Sequence, residues 1–295
     1  MDRSPPGTPE TSRPVAAIPP AYRTVEDGRR RVIVREDSLE VARESGFVRG
    51  ERRGTERGVE GGRTIHPLVD VPPHGTWLWK RCRRGGAAAH LLRDRYLRIG
   101  RFLEELRVLE QARRAGIPVT DLAALAITRV APGVHRVEQL IRHEAETRTL
   151  AALLADPTLD ASARSVALAA VAEAIARLHA AGLRHGDLNL RNILVRESSL
   201  GRAGAPPPVI LIDLDPAPPT RREAHSAEGN LLRLLRSWAR LHARDGLPLS
   251  IGERARFLRV YCGGIDADFR RLWRAGAAAI DRGRWLATAG DGRSR

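Results

Sequence analysis

The segment that decides the fold is His185-Gly186-Asp187-Leu188-Asn189-Leu190-Arg191-Asn192-Ile193-Leu194. It begins just after the most regular helical pattern in the chain, which spans 161–181 and is followed by a glycine. A second apolar run follows the segment and ends at Asp213. The sequence therefore predicts a helix, a loop that presents Asp187 and Asn192, and a hairpin of two short strands that brings Asn192 and Asp213 to one end.

These three polar residues are of the kind that phosphoryl transfer from ATP requires. One carboxylate takes the proton of the accepting hydroxyl, while an amide oxygen and a second carboxylate hold Mg²⁺ against the phosphates. We therefore interpret Asp187 as the catalytic base, and Asn192 and Asp213 as the metal ligands. Taken singly, each residue is equally typical of a turn or a helix cap. It is the combined spacing, in a helix–loop–strand context, that favours a site.

A kinase fold also requires a lysine that holds the ATP phosphates and a glutamate on the next helix that pairs with it. Lys80 ends a predicted strand and is the only lysine among 50 basic residues. In a chain that otherwise uses arginine, this favours a need for a compact ammonium over a solvated strand end. The following predicted helix, over 96–115, carries Glu105 between apolar positions, and we expect the adjacent Glu104 to point elsewhere.

A glycine-rich stretch precedes the predicted hairpin that carries the lysine. It contains Gly61 and Gly62 within Gly58–Arg63. Glycines let backbone N–H groups approach phosphates closely, so we expect this stretch to cover the nucleotide. The signal is weak by itself, because the whole region before it is rich in Gly and Arg.

The order of the predicted elements is strands with one helix first and mostly helices later. This order predicts an α+β, protein-kinase-like fold with two lobes. We expect a small antiparallel β-rich N-lobe over 56–143 and an α-rich C-lobe over 144–285. Residues 1–55 are expected to be a disordered Pro/Arg/Gly-rich leader with at most one short strand, and 286–295 a flexible tail.

The amino-acid composition limits the classes of protein to which this chain can belong. The 295 residues are 42% hydrophobic, enough for a sizeable core, and carry a formal net charge of +15. Such a charge draws a protein to polyanions, although an arginine-rich proteome would produce the same surface. The two cysteines exclude a disulfide scaffold and a cysteine-type zinc site. With no apolar run of membrane-spanning length and no secretory signal, we expect a cytoplasmic protein.

Six segments carry a resemblance to a known family: Trp79 to Gly86, Asp94 to Leu97, Glu105 to Val119, His185 to Leu194, Ile212 to Asp215 and Asn230 to Ser237. Through them the chain from about 58 to 243 resembles the lipopolysaccharide kinases, the family of 3-deoxy-D-manno-octulosonic acid (Kdo) kinase and the core heptose kinases. The family usually has Phe at the position of Leu214, which should still pack as an apolar residue. It often has Arg at the position of Pro216, so this proline removes a possible basic contact to the acceptor.

The resemblance implies ATP and Mg²⁺ as cofactors and the Kdo sugar of a lipid A precursor as the phosphate acceptor. It also implies a peripheral position on the cytoplasmic face of the inner membrane, in contact with the anionic leaflet. The arginine clusters at 81–84 and 93–98 fit such contacts or are plain solvated surface. No nucleic acid partner is expected.

Three alternatives stay open at this point. In the first, the acceptor is a heptose of the same glycolipid. In the second, it is a soluble small molecule such as an antibiotic, since kinases that act on such molecules share the His-Gly-Asp loop. The third alternative is a non-catalytic pseudokinase or RNA-binding module that uses the positive charge. An ordinary protein kinase is disfavoured, because Gly186 replaces the usual arginine and the chain after Asp215 leaves little room for an activation loop.

Overall fold

A computed structural model describes residues 17–52, 58–61, 64–83, 94–200, 202, 208–214, 216, 226–248 and 250–291. Its larger sheet has eight strands, and every recorded strand pair in it is antiparallel. The strand order is β1-β2-β7-β8-β5-β4-β3, with β6 paired to β8. The strands are β1 Tyr22–Asp27, β2 Arg30–Arg35, β3 Gly58–Gly61, β4 Thr64–Asp70, β5 Thr76–Arg81, β6 Arg95–Tyr96, β7 Leu122–Ala131 and β8 Val134–Arg142.

Two helices of the described residues accompany this sheet. Helix α1 is Leu39–Glu44 and helix α2 is Gly100–Arg114. Helix α2 buries an apolar stripe at three- and four-residue spacing, as the sequence pattern predicts. Its buried apolar residues are Phe102, Leu103, Leu106, Val108, Leu109 and Ala112. The helix therefore lies against the sheet, and its orientation determines whether Glu104 or Glu105 faces the interior.

The expectation of a disordered leader over 1–55 is wrong for the part that the structure describes. Strands β1 and β2 form a hairpin, and β2 also pairs with β7 in the middle of the sheet. Both faces of β2 are covered: Ile33 packs into one apolar cluster, while Val32 and Val34 pack into the other. Residues 1–16 and 53–57 lie outside the described part of the chain.

Strand β2 is difficult to predict from the sequence, because its arginines suggest a charged segment exposed to solvent. Arg30 and Arg35 are each only 8% exposed. Arg30 Nη1 donates to Glu138 Oε2 at 2.6 Å, and its Nε and Nη2 donate to the Phe47 carbonyl at 3.1 and 2.9 Å. Arg35 Nη1 donates to Asp121 at 2.5 Å. Burial of a charge is tolerated where it is paired and hydrogen-bonded in this way.

The Arg30–Glu138 pair gives a stability prediction. We expect Arg30→Met to lower the free energy of unfolding by about 3 kcal/mol, because it leaves the buried Glu138 carboxylate without its closest cation. The matched control is Arg31→Met, whose pair with Glu26 is exposed at 56% and 63% and should change stability by less than about 1 kcal/mol. Urea unfolding of both variants measures the difference. Equal effects would show that the leader segment is not anchored through Arg30.

The rest of the described chain is mainly helical, with a small three-stranded sheet. That sheet has the order β11-β10-β9. Helix α4 packs against α6, and α5 packs along α7. The elements are β9 Arg148–Thr149, α3 Leu150–Ala155, α4 Ala161–Ala180, β10 Ile193–Val195, β11 Val209–Leu211, α5 Ala227–Asp245, α6 Ile251–Tyr261 and α7 Asp266–Asp291.

Helix α4 confirms the most regular pattern in the sequence. Asp160 caps its N-terminus by accepting hydrogen bonds from the N–H groups of Ser162 and Ala163, both at 2.8 Å. Gly182, at φ +75°, ends it in the left-handed conformation that glycine adopts without strain. The chain therefore leaves α4 in a defined direction and enters the loop with Asp187.

The boundary of the expected lobes falls between β8, which ends at Arg142, and β9, which begins at Arg148. We propose this connection as the border of the N-lobe and C-lobe. At the other end, helix α7 continues to Asp291, so the expected flexible tail over 286–295 is wrong up to that residue. Across the described helices, no stretch combines bilayer-spanning length with sufficient apolar character.

Candidate active site

A cavity of about 250 Å³ lies where the large sheet meets the helical part of the chain. It brings together all five side chains predicted from the sequence: the base Asp187, the metal ligands Asn192 and Asp213, and the phosphate ligand Lys80 with its partner Glu105. Four of its walls are the end of β5, helix α2, the loop after α4 and the end of β11. The lining residues are Lys80, Cys82, Arg83, Tyr96, Arg101, Phe102, Glu105, Gln139, Asp187, Asn192 and Asp213.

The loop that carries Asp187 is held by two asparagines. Asn189 Nδ2 and Asn192 Nδ2 each donate to the Asp187 carbonyl at 2.9 Å. Asn189 Oδ1 also accepts from the Arg191 N–H at 2.9 Å and so begins a 3-10 turn at 190–192. Because the Asn192 amide nitrogen is engaged with the backbone, Oδ1 is the atom of this side chain that suits a cation.

The short hairpin predicted from the sequence is confirmed. Ile193 of β10 lies opposite Leu211 of β11, and the Ile212 N–H donates to the Asn192 carbonyl at 3.0 Å. Asp213 follows directly, at φ +54°, a left-handed conformation that Asp adopts more readily than most residues. The hairpin thus places Asn192 and Asp213 on the same side of the cavity.

Lys80 and Asp213 form an ion pair across the cavity, through Lys80 Nζ and Asp213 Oδ1. Burial by itself would lower the pKa of Lys80, but the charge and hydrogen bond of Asp213 outweigh it and raise the pKa. Burial likewise raises the pKa of Asp213, and Lys80 lowers it further than burial raises it. Both groups are therefore charged, and side-chain exposures of 24% and 48% leave them accessible to a ligand from the cavity.

Helix α2 turns Glu105 and Glu104 to different surroundings. Glu105 lines the cavity, where its Oε1 accepts from Gln139 Nε2 at 3.1 Å and its charge helps raise the pKa of Lys80. Glu104 pairs with Arg107 instead, through Arg107 Nε at 2.9 Å. Asp213 nevertheless acts on Lys80 more strongly than Glu105 does. Sequence reasoning placed the lysine's main partner on the helix and overlooked this carboxylate.

The glycine-rich stretch forms part of a hairpin at the edge of the large sheet. Gly61 ends β3 and lies opposite Thr64 of β4, while Gly62 lies outside the described residues. A Cβ atom at Gly58 would come within 2.4 Å of Ile65 Cγ2, so a larger residue there would require the Ile65 side chain to move. Strand β4 in turn pairs with β5, which carries Lys80. A role for this hairpin over the phosphates stays a prediction.

His185 is fully buried and holds the loop rather than facing the cavity. Its Nε2 bonds to the Ile212 carbonyl at 3.0 Å, and its Nδ1 accepts from the Asp187 N–H at 3.2 Å. These partners assign the proton to Nε2, since a carbonyl only accepts. Burial lowers the pKa of His185 to about 4. A neutral ring with both nitrogens engaged supports a structural role in holding the loop.

The two buried histidines give a pH prediction. Burial also lowers the pKa of His179 to about 4, so both rings protonate more readily in the unfolded chain, where the pKa is near 6.5. The contribution of the two neutral histidines to the free energy of unfolding is therefore fully retained above pH 6.5. It should fall toward pH 4, by at most about 1.4 kcal/mol per pH unit for each ring. Urea unfolding at pH 7, 6 and 5 measures the slope. His185→Gln should flatten it, and an unchanged slope would contradict the assignment.

Sequence reasoning missed two residues of helix α5. Asn230 is fully buried and its Oδ1 accepts from the His185 N–H at 2.7 Å. Arg233, one turn later, contacts the Asp187 carboxylate through Nε at 3.1 Å and through Nη2. A signal was present, because Asn230 is a polar residue in the first turn of α5, directly before its buried apolar residues. Nothing local links Arg233 to a loop 46 residues earlier.

Comparison with known proteins agrees with this geometry. The sequence profile of the lipopolysaccharide kinase (Kdo/WaaP) family matches residues 57–261. The chain is 32% identical over 228 residues to a 3-deoxy-D-manno-octulosonic acid kinase of Xanthomonas campestris pv. campestris (strain B100), covering 76% of this chain and 80% of that one. It is 30% identical over 182 residues to the enzyme of that name from Actinobacillus succinogenes, covering 60% and 72%.

The fold agrees as well. The structure of WaaP in complex with acyl carrier protein matches with a TM-score of 0.51 and 18% sequence identity, covering 80% of this chain and 88% of that one. At this identity the match concerns the kinase-like fold alone. The profile match covers most of the chain, and the relatives in two bacterial genera share its sequence over most of their length. The chain therefore belongs to the lipopolysaccharide kinase (Kdo/WaaP) family of phosphotransferases.

Proposed function

We propose that this protein transfers the γ-phosphoryl group of ATP to a hydroxyl of the Kdo sugar in a lipid A precursor. The observation that carries the proposal is the convergence of Lys80, Asp187, Asn192 and Asp213 on one cavity. The choice of Kdo is supported by relatives at 30–32% identity that carry the name Kdo kinase. Use of ATP follows from membership in a kinase family.

In this proposal Asp187 takes the proton from the accepting hydroxyl. At the same time the oxygen of that hydroxyl forms a bond to the γ-phosphorus. The bond from that phosphorus to the β–γ bridging oxygen breaks, and ADP leaves with the electron pair. Lys80 Nζ neutralises the charge of the nucleotide phosphates. Glu105, which shares the cavity with Lys80, positions the ammonium without touching the substrate.

Asn192 and Asp213 are the residues that would hold Mg²⁺. Their amide and carboxylate oxygens are hard ligands, and Mg²⁺ binds through one or two such groups together with phosphate oxygens and water. When bound, the cation neutralises charge on the phosphates. Asp213 would hold the cation by giving up its contact with Lys80, which would leave the Lys80 ammonium available to the phosphates. The exposure of both side chains toward the cavity permits this exchange.

We also propose that the protein works at the cytoplasmic face of the inner membrane, as a peripheral protein. A lipid A precursor is anchored in that leaflet, so an enzyme that phosphorylates it has to approach the lipid surface. The net charge of +15 supports the approach, because anionic lipids attract basic surfaces.

The test is transfer of labelled phosphate from ATP and Mg²⁺ to three acceptors offered in parallel. These are a Kdo-bearing lipid A precursor, the same lipid extended with heptose, and a soluble aminoglycoside. We expect label on the Kdo sugar of the first acceptor. Label on heptose only, or on the soluble acceptor only, would overturn the choice of substrate. ATP binding without transfer to any acceptor would overturn the activity.

A further inference from the structure

Helix α5 carries a row of arginines on one face. Arg233, Arg236 and Arg240 are spaced by three and four residues, which places them on the same side of a helix. We call these three residues the arginine ridge. The opposite side of α5 is buried against the core through Leu231, Leu234, Leu235, Trp238 and Leu241. The ridge is therefore fixed in position by a well-packed helix.

The ridge begins at the proposed base. Arg233 contacts the Asp187 carboxylate through Nε and Nη2, and its side chain is 29% exposed. Arg240 lies seven residues further along α5, about 10 Å away along the helix axis, and is exposed to solvent. The ridge thus leads from Asp187 outward along the protein surface.

Asp187 is shared by the nucleotide cavity and the ridge. The described residues that line the cavity include Asp187, but none of the three ridge arginines, whereas Arg233 contacts the Asp187 carboxylate. The described cations that line the cavity are Lys80, Arg83 and Arg101. An acceptor that reaches Asp187 while ATP fills the cavity is therefore within reach of the ridge as well.

The arginines of the ridge repel one another. Partial burial, and then the charges of Arg233 and Arg236, lower the pKa of Arg240, which Asp187 offsets only in part. The next arginine on this face, Arg244, is engaged with Asp245 through hydrogen bonds of 2.7 and 2.8 Å. Like charges that are held together on a rigid helix repel each other. An anion that binds between them relieves this repulsion, which makes its binding more favourable.

We propose that the arginine ridge binds an anionic group of the acceptor, a sugar carboxylate or a phosphate ester, and so presents the neighbouring hydroxyl to Asp187. This inference rests on the proposed function and adds the acceptor-binding residues to it. Guanidinium groups suit such anions because their N–H groups bond carboxylate or phosphate oxygens in pairs. An anion that binds Arg233 also competes for its contact with Asp187 and leaves that carboxylate able to accept a proton.

The test uses Arg240→Gln, because Arg240 is exposed and the change leaves the direct contacts of Arg233 with Asp187 in place. We expect the KM for a Kdo-bearing lipid A precursor to rise about 10-fold or more, as loss of a charge-assisted hydrogen bond predicts. The KM for ATP should stay within about two-fold. Arg256→Gln, which removes an exposed arginine from α6, is the matched control and should change neither constant. Equal effects on both substrates, or no effect on acceptor KM, would overturn the proposal.

A binding measurement separates this inference from the proposed function. Sedimentation with mixed micelles of the same lipid, without ATP, should show weaker binding by Arg240→Gln than by Arg256→Gln or the unaltered protein. This comparison holds even if no phosphate is transferred. No binding by the unaltered protein, or equal binding by all three, would overturn the ridge as an acceptor site.

Two altered acceptors then identify the anion. One has the Kdo carboxylate converted to an amide, and the other has the lipid A phosphates removed. The acceptor that lacks the recognised group should bind the unaltered protein and Arg240→Gln equally well. A difference that persists with both acceptors would contradict recognition of either anion.

Discussion

Asp187→Asn is expected to lower kcat for phosphoryl transfer about 1,000-fold, within the range that a general base contributes. The amide keeps the shape of the side chain but cannot accept the hydroxyl proton. The backbone around position 187 should remain in place, because Asn189 and Asn192 hold its carbonyl and His185 holds its N–H. ATP affinity should change little. Single-turnover kinetics with saturating ATP and acceptor measures the chemical step.

The control for this variant is Asp281→Asn, which makes the same chemical change at an exposed position on α7. It should retain full activity. Asp187→Asn also removes the charge that Arg233 contacts, so its fold is checked by thermal unfolding. A variant that is folded, binds ATP and transfers phosphate within 10-fold of the unaltered protein would remove Asp187 from the role of base.

The sequence was sufficient for the elements whose patterns are local. Helix α4 has apolar residues at helical spacing and a terminating Gly182, and both signals agree with the structure. The hairpin of β10 and β11 follows from two short apolar runs separated by Gly and Pro. Together they explain why the positions of Asp187, Asn192 and Asp213 relative to one another could be predicted without a structure.

The parts that sequence reasoning missed depend on contacts between distant segments. Arg30 and Arg35 appear as solvated charge until Glu138 and Asp121, about 100 residues away, are seen to pair with them. The Arg233–Asp187 and Lys80–Asp213 contacts are likewise long-range. In an arginine-rich chain, charge stops being a reliable signal of exposure, because many of the arginines are structural partners of buried carboxylates.

The lone lysine leads to the second large prediction. Lys80→Arg is expected to lower kcat/KM for ATP about 100-fold, although it keeps the positive charge. The site holds a compact ammonium beside Asp213, and a bulkier, planar guanidinium cannot occupy the same point. A shift of about 1 Å in a group that positions reacting atoms is enough for such a loss. Steady-state kinetics at saturating acceptor gives the value.

The reciprocal exchange Arg81→Lys is the matched control. Arg81 is the next residue of β5, its side chain is 46% exposed, and it faces Asp94 and Glu138 at 3.9 and 3.5 Å rather than Asp213. Since it holds no phosphate, we expect activity within about two-fold of the unaltered protein. If Lys80→Arg were as active as Arg81→Lys, the ammonium would have no special function. The single lysine would then be an accident of composition, and the nucleotide phosphates would have to be neutralised by Arg83 or Arg101, the other cations that line the cavity.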